Sequence, residues 1–249
     1  MTQDEFCEAL LRVMENKHHW AWAGFTQGLV PKDRLHWHLE QEYGTYVRDF
    51  AVLLGRAYVQ CPIDPVRRLL AENIYEEETG GLSGGIAHAE LFLDYPRGLS
   101  MDLDRFAAVE LLPMASAFRA AIDDATQKSG WSVAVAVTTL FLEGTPYERG
   151  EMDSQAPKRP KPDLADHPLV KHYGLQVDQL ALTRAHREVE GDHRGAAWDI
   201  LLNHIPEDDR RQVVGRMQYV LGKWRAYRDE IAHVCGIQRS SAGQPVLAA

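Results

Sequence analysis

Apolar residues recur at intervals of three and four along almost the whole chain, and no stretch alternates with period two for long enough to build a sheet. That pattern admits a bundle of helices. Residues 3–16 place Phe6, Leu10, Leu11 and Met14 on one face. A short helix is expected through 18–27, ending near Gly28. Pro31 suits the first turn of a long helix over about 32–60, with Leu35, Leu39, Tyr43, Tyr46, Val47, Phe50 and Leu54 as its buried stripe. Asp64 before Pro65 reads as a helix start, and Gly80-Gly81 as its stop. The glycine-rich run 80–85 leads into a helix over about 86–97. Helices over 113–128 and 131–148 are parted by Ser129-Gly130, and Pro206 parts two long ones over about 176–204 and 207–234. Pro157, Pro160 and Pro162 among charges mark 149–166 as an exposed loop, and the small, polar tail 237–249 is expected to fray.

The 249 residues suffice for one large core, so a single helical domain over 1–249 is expected. A net charge of −9 repels phosphate backbones, which sets nucleic acid aside as a partner. No apolar run approaches the roughly 20 residues that span a bilayer, so no membrane is expected. Met1 to Cys7 carry acids without a basic, apolar leader and read as mature protein. Cys7, Cys61 and Cys235 are scattered without metal-knuckle spacing, as in a protein of the reducing cytoplasm.

Chemistry concentrates in a few side chains. His186, Glu190 and His193 stand at i, i+4 and i+7, on one face of the expected helix 176–204. Two imidazoles and a carboxylate in one row suit Fe(II) or Mn(II); a hydrated polar face would show the same spacing. On 64–80, the row Val66, Leu70 and Ile74 puts Glu77 one turn further along the core-facing stripe, where an unpaired carboxylate is costly. Glu76 and Glu78 are expected to turn away into solvent. His88 stands one turn before Leu91 and Phe92, either as a ligand or as a helix-start histidine bonded to a carbonyl. Glu143 follows the apolar run Val133–Leu142, too hydrophobic for a surface helix, and is either a carboxylate with a cationic partner or the first exposed residue of the helix end. The six groups together supply three carboxylates and three neutral imidazoles. Two Fe(II) ions would leave one unit of positive charge, which favours an anionic substrate group or a bridging hydroxide, and would leave positions open for O2 and substrate.

At these residues the chain resembles a known family. Asn73-Ile-Tyr-Glu-Glu77, then His88-Ala-Glu-Leu91, Glu143 after an apolar helix, and His186-x3-Glu190-x2-His193 are similar to the ligand set of haem-oxygenase-like di-iron oxidases. That superfamily also contains the PQQ-synthesis C protein, the thiaminase TenA and the Chlamydia death-domain-associating protein. The resemblance covers about residues 18 to 235. It implies an all-α, haem-oxygenase-like (TenA- and PqqC-like) bundle. It also implies two Fe(II) per chain, with Mn possible, held by Glu77, His88, Glu143, His186, Glu190 and His193, with Glu76 or Glu78 as alternatives to Glu77 because the loop to His88 is longer and richer in glycine than the family's. The segment from Glu42-Tyr43 to Phe50 resembles the family's tyrosine-bearing pocket helix, which makes Tyr43 the candidate catalytic residue. The family often has aspartate at the position of Glu190. None of the three cysteines matches the nucleophile of the TenA branch, and the PQQ branch works without metal.

The resulting expectation is an O2-dependent di-iron oxidase or oxygenase acting on a small, carboxylate-bearing, amino-acid-derived metabolite in biosynthesis. Its partners would be substrate, O2 and an electron donor, with a homodimer possible. One alternative is a self-sacrificing 4-aminobenzoate synthase, which needs a reactive tyrosine and lysine beside the metals; Tyr43, Lys158 and Lys161 are the residues available to it. The other is a metal-free helical binding module.

Overall fold

The computed structural model describes residues 1–248 except 154 and 156–159, and the side chains of all of these but 188–194. The chain is 70% helical, well above the share of an ordinary globular protein. α1 (Gln3–Glu15) opens with a capping box, in which the Glu5 amide donates to Thr2 Oγ1 and the Thr2 amide donates to Glu5 Oε2. α2 (Trp22–Thr26), α3 (Leu35–Glu42) and α4 (Phe50–Gln60) follow. α5 (Asp64–Thr79) starts with Pro65 in its first turn and stops at Gly80, which is left-handed with φ +60°. Then come α6 (His88–Phe92), α7 (Asp94–Gly98), α8 (Asp104–Ala107), α9 (Pro113–Lys128), α10 (Trp131–Val135), α11 (Glu148–Met152) and α12 (Pro168–Tyr173). The two longest helices are α13 (Ala181–His204) and α14 (Glu207–Val234).

α14 lies at the centre, packed against α9, α1 and α10. Tyr227 stacks on Phe118 there with ring centroids 5.5 Å apart. Val133 to Val137 are buried without remainder, as their unbroken apolar run requires.

Several expected elements are corrected. The helix 32–60 is not continuous: a π-helical turn over Tyr43–Val47 and a non-helical Asp49 divide α3 from α4. Helix 131–148 becomes α10 and a second π-helical segment, Ala136–Leu142, which ends at Glu143. Each π-turn adds a residue to the helical repeat and so rotates the side chains beyond it, a device common at functional sites. Both turns here carry residues of one cavity wall. The span 86–97 is split between α6 and α7 at Leu93, and 176–204 becomes helical in earnest only at Ala181. The tail carries a short hairpin that its small, polar composition does not announce. Ile237–Arg239 (β1) and Pro245–Leu247 (β2) form an antiparallel hairpin with Ile237 paired to Leu247. Ile237 is buried, and its side chain fits beside Gly24, where a Cβ would stand 2.7 Å from Ile237 Cδ1. Within 149–166, α11 and a short turn over Leu164–Asp166 are helical.

Candidate metal centre and its cavity

Three helices deliver the donors. Glu77 stands in the last turn of α5, His88 begins α6, and His186 lies on the second turn of α13. Each offers one ligand atom, and these atoms all lie within 4.8 Å of one another. The His88 and His186 rings meet edge to face with centroids 5.0 Å apart. Glu77 is half-buried, His88 buried and His186 exposed, so the cluster runs from the core to an accessible side. Glu143 lines the same cavity and accepts a hydrogen bond from Asn73 Nδ2 at 2.6 Å. It stands at the end of the π-helical segment, half-buried rather than inside a continuous helix. The Glu190 and His193 side chains lie outside the described residues; their backbone belongs to α13.

The expectation that Glu76 turns into solvent is corrected. Glu76 is fully buried. Its carboxylate accepts from the Leu82 amide at 2.6 Å and from Ser83 Oγ, and His88 Nε2 lies 3.0 Å from Oε1. On the other side of the ring, His88 Nδ1 is 3.0 Å from Glu77 Oε1. Burial alone would raise the Glu76 pKa, but the bonds from Ser83, Leu82 and His88 outweigh it and hold the carboxyl below its usual range. Glu78 is exposed, as expected.

Two imidazoles and a carboxylate converging in one place, with a second carboxylate in the same wall, are a donor set that Fe(II) or Mn(II) takes. The residues therefore fit iron.

Beside the cluster lies a cavity of about 510 Å³. Phe25, Phe50, Phe92, Tyr95 and Tyr173 make much of its wall, and His38, Glu42 and Tyr46 add polar groups. Tyr46 Oη donates to Glu42 Oε1. Arg228 Nη2 donates to the same oxygen at 3.1 Å, and His38 Nε2 lies 3.4 Å from Oε2. Burial opposes ionisation of Glu42, yet Arg228, His38 and Tyr46 together bring its pKa down to about 2. Burial pushes His38 down to about 4, against the pull of Glu42, so its ring is neutral at neutral pH. Burial and Glu42 raise Tyr46 well above the ordinary phenol value.

Tyr43 is absent from the described wall. It is buried against Phe92, ring centroids 5.6 Å apart, and Tyr46 takes the wall position. The sequence pattern assigns no role to Glu76, Asn73 or Lys17. Asn73 is in view only as part of the Asn-x3-Glu element. Lys17 gives no signal at all, because its partners are the backbone carbonyls of Phe141 and Gly144, each 2.6 Å from Nζ.

Residues 36–222 match the family described as iron-containing redox enzyme. No curated protein matches the chain. Among solved structures, a TenA homologue from Pseudomonas syringae pv. tomato str. DC3000 aligns with a TM-score of 0.65 at 11% identity. The alignment covers 93% of this chain and 91% of that one. At that identity the likeness speaks for the fold, which is the haem-oxygenase-like helical bundle. Since the family match spans well over half of the chain and the donor set suits iron, this protein belongs to the family of iron-containing redox enzymes.

Proposed function

We propose that this protein is a non-haem di-iron oxidoreductase that uses O2 to oxidise a small, carboxylate-bearing, amino-acid-derived metabolite, with electrons from a separate donor. The observation that carries the reading is the convergence of Glu77, His88 and His186, with Glu143 in the wall of the same cavity. Glu190 and His193, one and two turns along α13 from His186, complete the six-ligand set. When bound, iron supplies the O2 activation that no side chain here provides.

The chain's own residues set the conditions for that chemistry. Asn73 orients Glu143 through Nδ2. The aromatic wall excludes water and encloses the apolar part of a substrate. Tyr46 keeps its phenolic proton, shared with Glu42 Oε1. No lysine or arginine is among the described wall residues. A substrate carboxylate would therefore be held by the metal centre itself, at positions that the protein ligands leave open.

The self-sacrificing reading needs a lysine beside a tyrosine. Tyr46, Tyr95 and Tyr173 line the cavity, Lys161 donates to the Arg187 carbonyl at 2.7 Å, and Lys158 lies outside the described residues; Lys17 donates to the carbonyls of Phe141 and of the wall residue Gly144, 2.6 Å from each, and is the lysine this reading would use. The oxidase reading is tested by iron analysis of protein purified without chelator. Wild type is expected to hold up to two irons, and Glu143→Ala and His186→Ala each to lose at least one. Full iron content in both variants would overturn the ligand assignment. An intact mass unchanged after exposure to iron and O2 is the further expectation, and loss of a tyrosine side chain would favour the self-sacrificing reading instead.

A further inference from the structure

The run Gly80–Gly85 is a small folded object. Its turn is closed by the Gly80 carbonyl, which accepts from the amides of Ser83, Gly84 and Gly85 at 3.0, 2.9 and 2.7 Å. Gly80 adopts φ +60°, and a Cβ there would lie 2.2 Å from the Ile86 carbonyl oxygen, so only glycine lets the chain return towards α5. The turn encloses one side chain of α5. The Glu76 carboxylate takes the Leu82 amide and the Ser83 hydroxyl, and its Oε1 also faces His88 Nε2. A fully buried carboxylate facing a ring whose other nitrogen points to Glu77 has more to do than close a loop.

We propose that Glu76 is the positioning residue of the metal centre: it accepts the Nε2 proton of His88, fixing the ring and its tautomer, and so presents Nδ1 as the ligand atom beside Glu77 and His186. Carboxylates only accept, and Glu76 and Glu77 stand at the same 3.0 Å from the two nitrogens of the empty site; once a cation takes Nδ1 and Glu77, the nitrogen that faces Glu76 is the one that carries the hydrogen. The Gly80–Gly85 turn serves this by shielding the carboxylate from water. A carboxylate behind a ligating histidine raises the basicity of the ligand and holds the ring in the coordinating orientation. This inference rests on the metal centre proposed above, and its test separates the two.

The probe is Co(II), titrated into metal-free protein, with Glu76→Gln compared against Ser83→Ala. Ser83→Ala removes another contact of the same carboxylate, together with a long 3.5 Å contact from Ser83 Oγ to His88 Nε2, and leaves the carboxylate's charge towards His88 in place. Glu76→Gln is expected to weaken Co(II) binding by about 10–100-fold, and Ser83→Ala by less than about threefold although it too loosens the turn. Nitrogen-15 shifts of His88 in the unmodified chain loaded with diamagnetic Zn(II) are expected to report a protonated Nε2 and a metal-bound Nδ1. This measurement stands even where Glu76→Gln fails to fold. A metal-bound Nε2, or equal losses of Co(II) affinity in the two variants, would overturn the proposal and assign Glu76 to the loop alone. A wild-type chain that bound neither Co(II) nor Zn(II) would instead overturn the metal centre.

Discussion

Replacing Glu42 by Gln keeps the shape of the side chain and deletes its charge. Its partner Arg228 is 6% exposed and is enclosed by Trp22, Trp224 and Tyr227, whose ring centroids lie 5.5, 5.5 and 5.1 Å from the guanidinium carbon. Among the described residues Glu42 is the acid that Arg228 pairs with, and Arg228 Nε has no hydrogen-bond partner there. Removing one member of a buried ion pair costs about 3–5 kcal/mol, because the other charge stays desolvated. The three aromatic faces stabilise the cation that remains, so a loss near the lower end, about 3 kcal/mol, is expected. With an unfolding entropy of about 2.1 cal/mol/K per residue, 249 residues make that a fall in Tm of about 6 °C. Calorimetry on the metal-free chain measures it. The double variant Glu42→Gln/Arg228→Met removes both charges and should recover most of the loss. The pH dependence carries a second signature. The folded pKa of Glu42 lies at about 2, below the ordinary value of 4.5. Its contribution is therefore complete above the ordinary value and is lost as pH falls from there towards about 2. Glu42→Gln should show a flatter stability profile across that window. A Tm shift under about 2 °C, or a double variant no more stable than the single, would refute the reasoning.

The surroundings of the site give two further expected outcomes. Burial, assisted by Arg228, brings Lys17 down to about 7 from its ordinary 10.5, so between those values the unfolded chain binds more protons and wild-type stability rises with pH by at most about 1.4 kcal/mol per unit. Lys17→Met should remove that slope and strip the Phe141 and Gly144 carbonyls of their donor, at about 1–3 kcal/mol; urea unfolding at pH 7 and pH 9 checks it, and a wild-type advantage that does not grow with pH would contradict it. Gly80→Ala combines a left-handed backbone with the Ile86 clash; a loss exceeding about 2 kcal/mol in thermal unfolding is expected, and a neutral outcome would mean that the turn rearranges freely.

Much of this protein is legible in its amino-acid order because helical period is a local property. The segments of α1, α5, α9, α13 and α14 follow from spacing and from Pro65, Gly80, Gly130 and Pro206, since caps and breakers act within a turn or two of themselves. The donors Glu77 and His186 are legible for the same reason, each standing on a recognisable helix face. The two π-turns are not. An added residue in a helix costs regular hydrogen bonds, and only packing against neighbouring elements decides where that cost is accepted; at Gly44 the neighbour is Val109, 2.7 Å from where a Cβ would stand. Those turns bring Tyr46 to the wall and leave Tyr43 behind Phe92. Glu76 points away from the apolar stripe of its own helix, and periodicity assigns it to water; it is buried because the Gly80–Gly85 turn folds back over it. The pair Glu42–Arg228 is separated by 186 residues, and the contact from Lys17 to Gly144 by 127. Neither leaves a trace in local spacing, because burial of a charge is decided by which distant helix arrives with its partner. The sequence alone thus determined which segments are helices and which faces carry donors. Tertiary structure decided which carboxylates lose their water and which tyrosine meets the cavity, because desolvation belongs to the packed whole and not to any one helix.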